Sequence, residues 1–433
     1  MGVGRDVVQG TEVDTMLGVV LVDVRADDVN DTPNQVAGYV VTELDGSPPR
    51  SLGDEPLRCE TCGRLFDGEK PYSRLGAHQG KPCAPEPPEC PHPVRVSFAS
   101  ERKPLVKSFL ALHHLALEET SCGEAGTAEA CCTFVIDVSL LQRRLRELAF
   151  AEASCCNLEH WYQALREHTA ETEVLPLSDD ELTMFQKLHA AWHVGYGSSV
   201  DPRTMSVHEN LERRLQQLWD GSQDPFFVKT SMRSPKDAVK MHSDGAPHER
   251  LRQELAASAV RSAGEAVELL AASRRVVTDI AQFRKYGSCQ GALNLIMRRW
   301  DPYVASSVEW RCFVSEGSLT AISQYHCYTV LPEVVAAAAV PGAPGLVEVR
   351  NRVTAFQEQV HPVIVDCLGL ASYVLDLATN VGGDVDTLVR LVEINPFHTS
   401  GAGVFSWRHD GDLLRRGRAD GIVELRVVRQ RLD

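Results

Sequence analysis

Two apolar runs late in the chain, Tyr373-Val-Leu-Asp-Leu377 and Leu391-Val-Glu-Ile-Asn-Pro-Phe397, constrain the fold more than anything else in its 433 residues. Their β-branched and aromatic residues favour extended backbone, and Gly382-Gly383-Asp384 between them is turn chemistry. Residues 372–378 and 387–394 therefore read as a hairpin. An acid interrupts each run. Glu393 and Asn395 stand two residues apart, hence on one side of their strand, and Asp376 can lie across from them. Two carboxylates and an amide oxygen form a hard-oxygen set that suits magnesium, which completes its shell with water and phosphate oxygens. On spacing alone, the same three residues also fit the solvent-facing side of an ordinary hairpin.

Further strands are expected at Phe226–Thr230, 292–298, Val308–Ser315 and 319–325, the last two joined through Glu316-Gly317. Residues 138–150 read as an amphipathic helix, with Leu140, Leu141, Leu145 and Leu148 on one face. A second helix starts at Ser178, where Ser178-Asp-Asp-Glu181 has the form of a capping box. Residues 248–285 are mostly helical in pattern, and Pro344-Gly345 interrupts a helical region that resumes to about Asp366. Helices and antiparallel strands on one core give an α+β architecture.

Lys plus Arg number 44 and Asp plus Glu 59, a formal net charge of −15. That balance argues against broad binding to nucleic acid or an anionic membrane. The longest apolar runs fall short of the roughly 20 residues a spanning helix needs. Met1 to Asp6 lacks the apolar stretch of a signal peptide, and Asp6 stands where a myristoylation signal wants Ser or Thr, so neither leader nor lipid anchor is expected. The cysteines number 13, an odd count that includes two adjacent pairs. A reduced, cytoplasmic protein is the simplest account.

Cys59-Glu-Thr-Cys62 is followed by Phe66, Leu75, His78 and Cys83. This is the register of a small finger in which an aromatic and a leucine pack a tiny core and zinc supplies the missing stability. Cys59, Cys62, His78 and Cys83 are the expected zinc ligands; a loop with free thiols is the plain alternative.

Several blocks, taken in order, resemble the cell division cycle protein 123 family, an ATP-grasp family. They are Cys156-Asn-Leu-Glu-His-Trp-Tyr162, Val174-Leu-Pro-Leu177, Phe227-Val-Lys-Thr-Ser-Met-Arg-Ser-Pro-Lys-Asp-Ala238, Met297-Arg-Arg-Trp300, Glu309-Trp-Arg-Cys-Phe-Val314, Ile322-Ser-Gln-Tyr325, Glu393-Ile-Asn-Pro-Phe397 and Phe405-Ser-Trp407. The resemblance covers roughly residues 152–410. Met232 stands where the family usually has Trp, Arg233 occupies the next position, and Glu393 replaces the family's Asp. The resemblance implies a two-lobed ATP-grasp-like domain preceded by the zinc-finger-like module. It implies ATP held by Lys229, Arg311 and, more weakly, Arg298, with magnesium on Asp376, Glu393 and Asn395. It further implies assembly of the translation initiation factor 2 complex through its gamma subunit. An ATP-grasp ligase that joins an activated carboxylate to an amine, and a zinc-finger adaptor whose ATP site is structural, are the competing readings. The expected organisation is a strand-containing segment (1–54), the zinc-finger-like module (55–95), a helical connector (96–151), the ATP-grasp domain (152–415) and a basic tail (416–433).

Overall fold

The structure is a computed structural model. It describes residues 149–432 apart from 195–199, 220–223, 240–244, 288–290 and 382–387, and before residue 149 it describes Glu147 and seven strands. These are β1 (Glu12–Asp14), β2 (Val19–Arg25), β3 (Leu57–Arg58), β4 (Leu65–Phe66), β5 (Pro93–Ala99), β6 (Ala116–Ser121) and β7 (Cys131–Asp137). The chain divides into two compact units, one of Met1–Gln35 with Ala149–Asp433, the other of Val36–Leu148.

In the second unit β3 and β4 pair antiparallel, and β5, β7 and β6 form an antiparallel sheet in that order. β6, β7 and part of β5 therefore fall within the segment expected to be a helical connector. The run Thr133-Phe-Val-Ile136 is β-branched and aromatic, and it prefers the pleated surface to a helix. Cys59, Cys62, His78 and Cys83 lie outside the described residues.

The first unit carries two sheets. One is four-stranded, in the order β10-β9-β11-β8, built from β8 (Thr172–Pro176), β9 (Phe226–Thr230), β10 (Ala259–Val260) and β11 (Asn294–Arg299). All its pairings are antiparallel. The other is seven-stranded, β1-β2-β16-β13-β12-β14-β15, and adds β12 (Val308–Ser315), β13 (Ser318–Gln324), β14 (Tyr373–Thr379), β15 (Arg390–Pro396) and β16 (Glu424–Leu432). β16 runs parallel to both β13 and β2. The residues read as a basic tail thus supply an interior strand, because Leu425 and Val427 alternate with charged neighbours and are fully buried.

α1 (Leu158–Leu165) sends Trp161 and Leu165 into the core of the larger sheet. α2 (Asp179–Val194) opens on the expected capping box: the Ser178 amide donates to Glu181 at 2.7 Å, and the Glu181 amide donates back to the Ser178 hydroxyl at 3.3 Å. With α3 (Pro202–Leu218), α4 (Pro247–Ala257), α5 (Ala263–Ala272) and α6 (Arg274–Gln282) it completes the smaller lobe. Phe226, Val228, Leu295 and Met297 from its sheet pack with Leu182, Phe185, Leu211 and Val267 from α2, α3 and α5.

The larger lobe adds α7 (Pro302–Ser306), α8 (Pro332–Ala339), α9 (Pro344–Leu368) and α10 (Trp407–Arg416). Pro344 opens α9 near its first turn, where a missing amide hydrogen costs nothing. Trp310, Cys312 and Val314 of β12 and Tyr373, Leu375 and Leu377 of β14 pack with Val349, Val353 and Val360 of α9. Burial of each such side chain is worth about 1.5–3 kcal/mol. The opposite face holds a second core, where Phe313 meets Phe397, Phe405 and Trp407 edge-to-face at ring-centroid distances of 6.5, 6.0 and 5.8 Å. That cluster ties down the loop between β15 and α10. Among the described residues no helix is long and apolar enough to cross a membrane.

Candidate functional site

A cavity of about 540 Å³ opens between the two sheets of the first unit, lined by residues of both. Strand alternation sets its character. On β9, Phe226 and Val228 enter the small lobe's core while Phe227 and Lys229 line the cavity. On β12, Trp310 and Cys312 enter the large lobe's core while Glu309 and Arg311 line the cavity. Asp376 lies across from Arg311, and Glu393 across from Asp376.

Arg311 grips Asp376 with two parallel hydrogen bonds, Nε to Oδ1 at 2.9 Å and Nη2 to Oδ2 at 2.8 Å. The Asn395 amide donates to the same Oδ2 at 2.8 Å. Lys229 reaches from the other lobe and donates to Glu393. Arg298 donates to the Val392 carbonyl at 2.7 Å and to the Thr169 hydroxyl. Val392 falls where the β14–β15 register slips. A bulge of this kind takes one residue out of the ladder, and here its carbonyl serves Arg298.

Five of the six predicted residues, Lys229, Arg298, Arg311, Glu393 and Asn395, line the cavity. Asp376 is completely buried and held by Arg311 and Asn395. Burial pushes its carboxyl up, against the pull of the Arg311 guanidinium. Glu393 feels burial too, yet Lys229 holds its carboxyl below the ordinary range. Burial lowers the Arg298 guanidinium, and Glu393 opposes that.

Five further residues of the cavity wall, Glu309, Lys236, Tyr325, Arg233 and His326, are not among the site residues expected from the sequence. Glu309 is two residues before Arg311 on the same strand face, so alternation was available as its signal. Burial, with Asp376 and Glu393 nearby, pushes its carboxyl up to about 7 against the pull of Lys236. Lys236 donates to the Tyr325 hydroxyl at 2.9 Å, and Tyr325 has Lys236 on its ring at 4.7 Å and Arg311 at 4.8 Å. Arg233 lines the cavity from the turn after β9. Burial, with Lys236 and Arg311 nearby, drives His326 down to about 3, so it stays neutral.

The two ends of the cavity differ. Phe227, Leu251, Leu255, Val304, Val308 and Leu331 gather apolar side chains toward one end, beside Arg252, Arg298 and Arg299. Lys229, Arg233, Lys236 and Arg275 make the other basic. Altogether eight Lys and Arg line the cavity against four Asp and Glu, in a chain whose net charge is −15. Among the described residues, no three His, Cys, Asp or Glu side chains form a ready-made metal cage.

Two lobes around a cavity, one bringing a strand-borne lysine and the other a Glu-x-Asn strand opposite a second acid, define a two-lobed α+β domain. The chain belongs to the D123 family, whose model matches residues 196–433, more than half of the chain. Among solved structures it is similar to Cdc123 from Schizosaccharomyces pombe, at 18% identity and a TM-score of 0.46, over 64% of this chain and 97% of that one. It is also similar to a RimK domain ATP-grasp protein from Sphaerobacter thermophilus, at 13% identity and a TM-score of 0.23, over 60% of this chain and 64% of the other. The D-cycloserine synthetase DcsG is similar at 11% identity and a TM-score of 0.28, over 60% of this chain and 68% of the other. A comparison with curated proteins finds no match.

Proposed function

We propose that this protein binds ATP with magnesium in the inter-sheet cavity and acts as an assembly factor for the translation initiation factor 2 complex through its gamma subunit. The observation that carries the nucleotide reading is the cationic cavity in an acidic chain, with apolar side chains gathered around Phe227 and lysines and arginines around Lys229 and Arg233. A base fits the first and a polyphosphate the second. Lys229 would exchange Glu393 for phosphate oxygens, and Arg311 would keep Asp376 ionised and oriented.

The donor set fits a hard cation that arrives with an anionic co-ligand. Glu393 and Asn395 supply oxygens at the cavity wall, Asp376 lies next to both, and phosphate and water complete the shell. Magnesium there would neutralise phosphate charge. The chain's own acids hold the cation's place, and its lysines and arginines orient the phosphates. Family membership supports the gamma-subunit reading and a cytoplasmic site of action.

Calorimetry with ATP tests the nucleotide site, with and without magnesium. We expect Lys229→Ala to weaken binding at least ~10-fold, the loss of one charge-assisted contact. Asp376→Asn, which keeps the shape but removes the charge and one of the two acceptor oxygens, is expected to abolish the benefit of magnesium. Unchanged titrations in both variants, with melting curves showing them folded, would sink the assignment. The ligase alternative is favoured instead if ADP release depends on adding a small amine or carboxylate. We also propose a zinc ion on Cys59, Cys62, His78 and Cys83, supported by the β3–β4 pair that brackets the Cys59–Cys62 segment in sequence. Elemental analysis of the full chain is expected to find one zinc, lost in Cys59→Ser; a zinc-free wild type refutes it.

A further inference from the structure

The cations of the cavity are held in two ways, across the cleft or from within their own lobe. Lys229, Arg298 and Lys236 take partners across the cleft, on Glu393, Val392 and Tyr325 of the large lobe. Arg233 takes its partner from behind, within its own lobe. Its Nε donates to Asp279 Oδ1 at 2.7 Å and its Nη2 to the Arg275 carbonyl at 3.3 Å. The backbone below is pinned as well: the Thr230 amide donates to the Arg233 carbonyl, and the Arg233 amide to the Thr230 hydroxyl, both at 3.2 Å. Among the described residues, Nη1 has no partner.

Asp279 is an expensive residue to keep. It is 0% exposed and sits on α6 between Val276 and Ile280, both members of the small lobe's apolar core. Its Oδ2 has no hydrogen-bond partner. A half-satisfied buried carboxylate destabilises a fold relative to an apolar residue of similar size. Rules of packing are usually broken where function requires it. What Asp279 accomplishes is orientation: it fixes one edge of the Arg233 guanidinium and leaves the other for a ligand. Because this pair need not break when a ligand enters, Arg233 is preorganised, whereas Lys229 must first release Glu393.

Its place along the cavity says which part of a ligand it meets. Phe227 pairs with Ala259 and Arg298, at the end where α4 contributes Leu251 and Leu255. Lys229 is two residues further along β9, and Arg233 lies past the strand's end. A nucleotide with its base against Phe227, Leu251 and Leu255 meets Lys229 before it reaches Arg233.

We propose that Arg233 binds the outermost phosphoryl group of a nucleoside triphosphate and makes the cavity select triphosphate over diphosphate, with Asp279 as its positioning residue. The inference rests on the nucleotide reading above. It is tested by calorimetry of the full chain with magnesium-ATP and magnesium-ADP, in wild type, Arg233→Ser, Arg233→Lys and Asp279→Asn. Arg233→Ser is expected to lower ATP affinity ~10- to 100-fold, the worth of a charge-assisted contact, and to leave ADP affinity within about twofold. Lysine is expected to restore little, because an ammonium lacks the planar fork. Asp279→Asn should lose ATP selectivity in the same direction without lowering the melting temperature. If it does not fold, Arg233→Ser carries the test alone. Equal losses for ATP and ADP, or no loss, overturn the inference while leaving the site a nucleotide site. Failure of wild type to bind either nucleotide overturns the nucleotide reading itself.

Discussion

Glu309 is a carboxyl group whose titration falls near neutrality, at about 7. An acid raised this way binds its proton more tightly in the folded chain than in the unfolded one. The stability it lends is complete below the ordinary carboxyl range and disappears as pH rises through about 7. Wild type is therefore expected to lose stability between pH 5 and 8, measured as a urea midpoint without magnesium. Glu309→Gln should be flatter over that window and more stable at pH 8 by ~2–3 kcal/mol. Parallel profiles for the two proteins would show that Glu309 titrates as an ordinary acid. At this scale the sequence was readable where period-2 spacing applied, as for Glu393 and Asn395. It was unreadable where a side chain crosses between lobes, as Lys236 does to Tyr325, because no local pattern encodes that meeting. The Val392 carbonyl was hidden for a related reason: a bulge exists only once two strands have paired.

Elements with a strong local signature were legible. Phe226–Thr230 and Val308–Ser315 form the expected strands, and the Ser178 capping box opens its helix. The β14–β15 hairpin was also expected, though each strand ends a residue or two later. Elements whose identity depends on distant partners were not legible. β16 reads as a basic tail until its neighbours β13 and β2 are known. Pro344-Gly345 reads as a break in a helical region, whereas the chain uses Pro344 as a helix start. The loop between β15 and α10 carries a further constraint. Gly403 has φ +66°, and a Cβ there would fall 2.2 Å from the Ser323 hydroxyl, which accepts the Val404 amide at 2.8 Å. Gly403→Ala is expected to cost roughly 2 kcal/mol or more in denaturant titrations, through both strain and displacement. Arg311 donates to the Gly401 carbonyl at 3.1 Å, so the same change should also weaken nucleotide binding. A variant with wild-type midpoint would mean that the loop can move away without loss.

At the scale of the molecule, the large sheet joins residues from opposite ends of the numbering. Leu425 pairs with Val19 and Leu432 with Arg25. During synthesis, β2 leaves the ribosome roughly 400 residues before its neighbour β16 exists. At 5–20 residues per second that is an interval of about 20–80 s. For that time β2 can pair with β1 but has no lateral strand on its other side, and an unpaired edge is a template for other chains. Closing so long a loop is also slow in a refolding experiment. A chain shortened by residues 1–35 is expected to refold without the slowest phase of the full chain, and to leave β16 as a free edge prone to self-association. Identical slow phases in both would place the delay elsewhere. The sheet that carries the acids of the site is thus completed only after roughly 400 further residues have been joined, and one edge of an early strand must be kept from other chains until then.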